Sequence, residues 1–151
     1  MTPALLLIPI VVQALVMGVD EFYFHRRRGL PRWERWGHPL DTATVLACYV
    51  VALALPPTST PLAIYVALAV GSCVFITKDE FVHAQHCSPI EQWLHALLFV
   101  LHPIVLAAAG LLWWTGQTQL LMLQAILIGA FGLYQLVYWN VIWTRRPLRT
   151  P

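Results

Sequence analysis

The chain has 151 residues, of which 59% are hydrophobic and only 11% are charged, and its formal net charge is +2. Soluble domains carry roughly a quarter charged residues, so this composition excludes an ordinary soluble domain and indicates a protein that crosses a membrane several times. The sequence has no basic stretch interleaved with aromatic residues, which excludes nucleic acid as a partner. The expected partner is the lipid bilayer.

Five apolar segments follow one another along the sequence, at residues 3–24, 39–56, 61–82, 90–114 and 119–144. Each approaches or exceeds the roughly 17–25 residues that a helix needs to cross a bilayer. The first segment has no preceding Lys or Arg and no small-residue cleavage site after it, so we expect a retained helix rather than a signal peptide. The sequence therefore predicts an all-α protein with a single transmembrane domain, residues 1–151.

The basic residues all fall on one side of the membrane if the five helices alternate in direction: Arg26, Arg27, Arg28, Arg32, Arg35, Lys78, Arg145, Arg146 and Arg149. The opposite loops, 56–61 and 115–118, carry no charge. Because Lys and Arg mark cytoplasmic loops, we expect the N-terminus outside and the C-terminus inside. The expected location is a bacterial inner membrane.

A short phrase occurs twice, near the ends of the first and third predicted helices: Asp20-Glu21-Phe22 with His25, and Asp79-Glu80-Phe81 with His83. Glu21 and His25 are four residues apart, and Glu80 and His83 are three apart, so each pair lies on one helix face. The spacing Glu-x-x-His occurs in carboxylate-bridged di-iron bundles, and His86 continues the same face. Both copies therefore predict a pair of metal ligands.

Each copy leads into a similar helix start, Pro39-Leu40-Asp41 in the first case and Pro89-Ile90-Glu91 in the second. The sequence therefore predicts two helical hairpins, related as parallel repeats by an axis along the membrane normal, with a fifth helix added. His38 lies three residues before Asp41 on the second helix. His95 and His102 share one face of the fourth helix with Glu91.

Ten residues form the candidate metal site: Glu21, His25, His38, Asp41, Glu80, His83, His86, Glu91, His95 and His102. All of them lie on the cytoplasmic side of the predicted topology, and we expect the loop 26–37 to cover them. One zinc takes about four ligands, so this number fits two transition-metal ions with supporting partners better than one. Carboxylates and imidazoles without thiolates favour iron, with manganese and zinc as alternatives.

Simpler roles are open for several acids. Glu91 could act only as the capping partner of Ser88 at the start of a helix. Glu34, which lies in an Arg-rich loop, is expected to form an interfacial ion pair. Asp20 and Asp79 are expected to support the ligands or to face the interface rather than to bind metal.

A simpler role is also open for His102, which lies several turns inside an apolar helix. A histidine there needs a partner. A backbone carbonyl or the side chain of Gln135 could provide that partner without a metal.

The arrangement resembles the membrane-embedded di-iron oxygenases and desaturases, in which histidine clusters at the cytoplasmic ends of helices hold two irons. Glu80-x-x-His83 and the repeat also resemble the soluble ferritin-like bundles. In this chain carboxylates replace many of those histidines, and His83-x-x-His86 is the one close histidine pair. The resemblance implies a di-iron oxidoreductase that acts on a hydrophobic or quinone-like substrate and receives electrons from a donor protein.

Two other functions fit the same residues. A zinc-dependent membrane hydrolase would use three ligands, an open position for water and a carboxylate as the base. A metal or proton carrier would use acids and histidines inside the membrane as a pathway. The carrier is disfavoured because the predicted outer half of the helices contains only uncharged polar side chains, such as Gln13, Gln119 and Gln124.

Overall fold

The computed structural model describes residues 2–143, and within that range the chain is helical without strands. Five helices are long and apolar enough to cross a membrane: α1 (Pro3–Arg28), α2 (Arg32–Ala54), α3 (Ser59–His86), α4 (Pro89–Trp114) and α5 (Thr118–Ile142). The prediction of an all-α protein with five membrane-length helices is thereby confirmed. Arg145, Arg146 and Arg149, and the predicted end of the fifth helix at residue 144, lie outside the described residues.

The connection between α1 and α2 is much shorter than the sequence suggests, because α2 begins at Arg32 and contains Pro39. A proline inside a helix leaves the carbonyl four residues earlier without its helical donor. Here that carbonyl belongs to Arg35, and the side-chain amide of Asn140 on α5 donates to it at 3.0 Å. The helix therefore continues through Pro39, and the expected covering loop 26–37 is mostly helical.

Three helices depart from regular α geometry. Residues Asp20–His25 of α1 and Tyr138–Ile142 of α5 form π-helical turns, and Ile76–Asp79 of α3 forms a 3₁₀ turn. In an α-helix, residues 20 and 25 would point about 140° apart. The wider π turn instead aligns residues five apart, so Asp20 and His25 lie on the same face.

The helices pack as a bundle in which α1 lies along α4 and α2 lies along both α5 and α3. Helix α5 approaches α2 closely at Gly132, where an added Cβ would lie 2.8 Å from Cγ2 of Thr42. An apolar core that includes Tyr49, Leu112 and Trp113 fills the end of the bundle away from the repeated phrase. Large apolar side chains cover much of the exposed surface, as expected for helices that face lipid.

Candidate metal centre

The buried charged residues and histidines gather at one end of the bundle, where α1 and α3 end and α2 and α4 begin. Acids, imidazoles and two fixed cations from these four helices lie within one cluster: Asp20, Glu21, His25, Arg28, Glu34, His38, Asp41, Lys78, Asp79, His83, Glu91 and His95. Groups this polar are costly to bury unless each has a partner.

The first set of ligating side chains, which we call group A, consists of Asp20, His25, Glu91 and His95, all of them buried. Each offers one donor atom, and these atoms lie within 4.8 Å of one another. The Asp20 carboxylate lies between two imidazoles, with Oδ2 3.2 Å from Nε2 of His25 and Oδ1 3.0 Å from Nε2 of His95. Three or four such donors around one point match what a transition metal requires.

Glu21 lies on the other side of the His25 ring from Asp20. Its Oε2 is 3.4 Å from Nδ1 of His25, and its Oε1 accepts a hydrogen bond of 2.5 Å from Nε1 of Trp139. A carboxylate on the second ring nitrogen fixes the orientation of a metal-binding histidine. The pairing of Glu21 with His25 predicted from their spacing is thus present, and the π turn adds Asp20 to it.

The second set, group B, consists of His38, Asp41 and Asp79, whose donor atoms also lie within 4.8 Å of one another. The Lys78 ammonium contacts both acids, at 2.6 and 2.7 Å from the two oxygens of Asp41 and 3.0 Å from Oδ2 of Asp79. The rings of His38 and His25 have centroids 4.8 Å apart, so groups A and B adjoin.

A third part of the cluster joins α2 to α3 and α4. The Arg28 guanidinium donates to Glu34 at 3.0 Å and to Glu91 at 3.1 Å. The other oxygen of Glu34 is 3.3 Å from Nε2 of His83, whose ring stacks on His95 with centroids 3.8 Å apart. Glu34 therefore forms the expected ion pair, but it does so fully buried inside the cluster rather than at the interface.

Cys87 is the one thiol near these donors among residues 2–143, and it could form a set with His83 and His95. Burial raises the pKa of the Cys87 thiol well above its usual range. The thiolate is the form that binds metals, so a raised pKa disfavours Cys87 as a ligand.

Several buried ring nitrogens have no hydrogen-bond partner among the described residues, namely Nε2 of His38, Nδ1 of His95 and both nitrogens of His83. Nε2 of His25 is close to Asp20 and Nε2 of His83 is close to Glu34, but neither contact has the angle for a hydrogen bond. Buried polar atoms are normally satisfied, so a group of unsatisfied imidazoles needs an explanation. Metal coordination is one, because neutral imidazole nitrogens are ligands.

Five predicted ligands lie outside groups A and B. Glu21 contacts His25 of group A and His83 stacks on His95, whereas Glu80, His86 and His102 lie away from both groups. Glu80 is exposed, because the Asp and not the Glu of the second phrase turns inward. His86 lies at the end of α3, outside both groups. His102 lies deeper in the bundle, and its Nε2 is 2.9 Å from the Ser72 hydroxyl rather than near Gln135 or a metal-ligand set.

The sequence predicted only supporting or interfacial roles for Asp20, Asp79 and Glu34. The structure buries all three acids in the cluster. The signal for the first two was the phrase itself, in which Asp precedes Glu both times. Glu91 has two roles: its backbone N–H donates to the Ser88 side chain as a helix cap, while its carboxylate contacts Arg28.

A cavity of about 390 Å³ extends from the cluster into the apolar part of the bundle. Groups A and B contribute to one end of it, and its other walls are mainly apolar, with side chains such as Val45, Phe99, Val105 and Phe131. Cavities of this size and character bind small organic molecules.

No family model, curated protein or solved structure matches this chain.

Proposed function

We propose that the protein is a membrane-bound di-metal oxidoreductase, with two irons in groups A and B, that acts on a hydrophobic molecule from the bilayer. The observation that carries this proposal is an imbalance of charge. The cluster contains six carboxylates, from Asp20, Glu21, Glu34, Asp41, Asp79 and Glu91, and two fixed cations, Arg28 and Lys78. Two divalent ions would balance the four remaining negative charges.

Protonated histidines would be another way to balance these charges, since the cluster has four imidazoles. An imidazolium, however, donates from both ring nitrogens and needs two acceptors. His38, His83 and His95 each have a buried nitrogen without any partner among residues 2–143. Metal ions fit these neutral nitrogens better, because they use the lone pair that an imidazolium lacks.

Group A would hold the first metal through Asp20, His25, His95 and Glu91, and group B the second through His38, Asp41 and Asp79. Hard carboxylates mixed with imidazoles favour iron or manganese over softer metals. Bound iron would supply activation of oxygen. The residues around it would orient the ligands, as Glu21 does for His25, and would keep water from the reacting atoms.

The proposed topology places the cluster on the cytoplasmic side of a bacterial inner membrane, with the N-terminus outside. The placement of basic residues along the sequence supports it. An electron-donor protein would then dock at the cytoplasmic helix ends. The packing supports the proposed parallel repeat. In such a repeat α1 corresponds to α3 and α2 corresponds to α4, so a contact of α1 with α4 should be matched by a contact of α3 with α2, and both contacts are present.

A zinc-dependent hydrolase is the second candidate, and Lys78 is the observation that favours it. The Lys78 ammonium already neutralises part of group B by contacting Asp41 and Asp79. If Lys78 takes the place of the second metal, group A would hold one zinc with an open position for water.

Elemental analysis of the protein purified in mild detergent tests both candidates. We expect about two iron ions per chain in the wild type and about half of that in Asp20→Asn, which removes a charged ligand of group A. Glu80→Gln is the matched control, because Glu80 is exposed and should not affect the metal content.

The outcomes distinguish the candidates. One zinc per chain without visible absorption would replace the oxidoreductase with the hydrolase. Protein purified without any transition metal, and unable to take up iron, manganese or zinc on reconstitution, would refute both. Metal uptake into protein-containing liposomes would indicate a carrier instead.

A further inference from the structure

The cavity beside the cluster is long and crosses much of one half of the bundle. Beyond the cluster, its walls extend on α1 from Asp20 to Ile10 and on α4 from His95 to Val105. Ten residues of helix correspond to about 15 Å, given the rise of 1.5 Å per residue. An elongated apolar space of this length fits an extended hydrocarbon chain better than a compact ring system.

Helices α1 and α5 both line the cavity and do not pack along each other, since α1 lies on α4 and α5 lies on α2, which leaves a gap between them. Two of its large apolar lining residues are strongly exposed on the outside of the bundle: Phe22 of α1, at 49%, and Leu127 of α5, at 60%. This gap faces the bilayer along the apolar part of both helices. A molecule could therefore enter from the lipid.

The gap is closed toward the polar end by aromatic and cationic side chains. The Phe22 and Tyr134 rings have centroids 5.5 Å apart, and the Arg26 guanidinium lies 5.0 Å from the Tyr138 ring centroid. These contacts connect the ends of α1 and α5. Lateral entry therefore leads to the apolar part of the cavity rather than directly to the cluster.

His102 is one of the polar residues in the wall of this space, and its neighbours define its hydrogen-bonding state. His102 contacts the Ser72 hydroxyl at 2.9 Å, Ser72 contacts the Thr44 hydroxyl at 2.7 Å, and Thr44 donates to the Asp41 carbonyl at 2.7 Å. Each hydroxyl has one proton. All three contacts are hydrogen bonds only if Ser72 donates to Thr44 and His102 donates to Ser72 from Nε2.

This direction places a proton on Nε2. Because a charged imidazolium would need a second acceptor for its Nδ1–H in these apolar surroundings, we take the ring as neutral, with the lone pair on Nδ1. The ring lines the cavity, so it offers an acceptor to whatever the cavity contains. His102 lies seven residues beyond His95 on the same face of α4, which is about 10 Å along the helix. A ligand that reaches the cluster would therefore pass the imidazole of His102.

We propose that the cavity binds a long-chain amphiphile that enters from the bilayer between α1 and α5, and that a hydroxyl of this molecule donates a hydrogen bond to Nδ1 of His102. This inference rests on the proposed function in one respect, namely that the bound amphiphile is the substrate. Binding itself depends on the cavity and on His102, and it can be measured without metal or turnover.

Photolabelling tests the proposal directly. The probe is hexadecanol with a diazirine in the middle of its chain, added to the protein in lipid nanodiscs, and its methyl ether serves as the probe without a donor. Labelled residues are identified by mass spectrometry. We expect the alcohol to label cavity residues such as Phe99 and Phe131, and the ether to label them about three- to tenfold less, the factor for one net hydrogen bond.

A first pair of variants separates the cavity from the lipid-facing surface. Gly18 lines the cavity and Gly71 does not, yet an added Cβ meets nothing within 4 Å at either position. Both should therefore tolerate leucine. We expect Gly18→Leu to reduce labelling of the cavity residues several-fold and Gly71→Leu to leave it unchanged.

The second pair tests the His102 tautomer. Ser72→Ala removes the acceptor for Nε2–H, so the alcohol should lose its advantage over the ether, while Thr77→Ala, which alters an exposed hydroxyl on the same helix, should preserve it.

Labelling confined to lipid-facing residues, or equal in both glycine variants, would overturn the cavity as the binding site. Equal labelling by alcohol and ether in the wild type would overturn the role of His102. Elemental analysis of the same samples keeps these outcomes separate from the metal proposal, because labelling of the cavity without bound metal would support this inference while contradicting the proposed function.

Discussion

Lys78→Met removes the cation that lies closest to group B. The Lys78 ammonium is within 3.0 Å of Asp41 and Asp79, and its side chain is only 14% exposed. Removing one partner of a buried ion pair costs about 3–5 kcal/mol. We expect Lys78→Met to lower the free energy of unfolding by about 3 kcal/mol. This is the lower end of that range, because the Asp41 side chain is itself 16% exposed and can be partly solvated.

A divalent metal should reverse part of this loss. The two carboxylates released by Lys78→Met would bind a second ion more tightly, and a ligand at about 100 times its dissociation constant stabilises the folded state by about 2.7 kcal/mol. The assay is unfolding of the purified protein by sodium dodecyl sulfate, with and without added manganese or iron. Arg27→Met is the matched control, since Arg27 is exposed and lies against Tyr23, and it should change stability by no more than about 0.5 kcal/mol.

A Lys78→Met variant as stable as the wild type would refute the view that Lys78 neutralises buried carboxylates. A destabilised variant that does not respond to any metal would instead show that group B is an ion-pair site and not a metal site.

Three further predictions concern single side chains. Asn140→Ala should destabilise the protein by about 1–3 kcal/mol in the same unfolding assay, because the Arg35 carbonyl loses its donor. Wild-type stability in Asn140→Gln would agree with this role of the amide, whereas wild-type stability in Asn140→Ala would contradict it. Cys87 should alkylate more slowly than a free cysteine near neutral pH, and its rate should keep rising above pH 9, because burial keeps the thiol protonated below its raised pKa; a fast reaction at pH 7 would contradict this. Nitrogen NMR of His102 should show a protonated Nε2 and an unprotonated Nδ1, and the opposite pattern would reverse the hydrogen-bond chain.

The sequence was sufficient to predict the five helices, because long apolar segments have few alternatives to spanning a bilayer. It also predicted that acids and histidines from four helices would meet at one end. The start of α2 was not predictable in the same way. Pro39 signals a helix start locally, and only the amide of Asn140, about a hundred positions away in the chain, makes an interior proline acceptable there.

The choice between neighbouring acids also depended on local geometry that spacing rules do not contain. Spacing at 3.6 residues per turn favours Glu21 as the partner of His25, and the π turn then adds Asp20. In the second phrase the inward residue is Asp79 rather than Glu80, next to a 3₁₀ turn. Irregular turns of both kinds shift the faces of a helix, and neither has a reliable sequence signal.

The burial of Leu30 bears on the route by which a reactant could reach the cavity. It lies in the short connection between α1 and α2, at the polar end, and it is fully buried. This connection is packed into the bundle, so it closes the polar end of the bundle rather than forming a mobile loop over it. If the proposed amphiphile is the reactant and enters from the lipid between α1 and α5, the concentration that governs the rate would be the mole fraction of reactant in the membrane. Diluting vesicles with buffer would leave the rate per protein unchanged, whereas diluting the reactant with inert lipid would lower it.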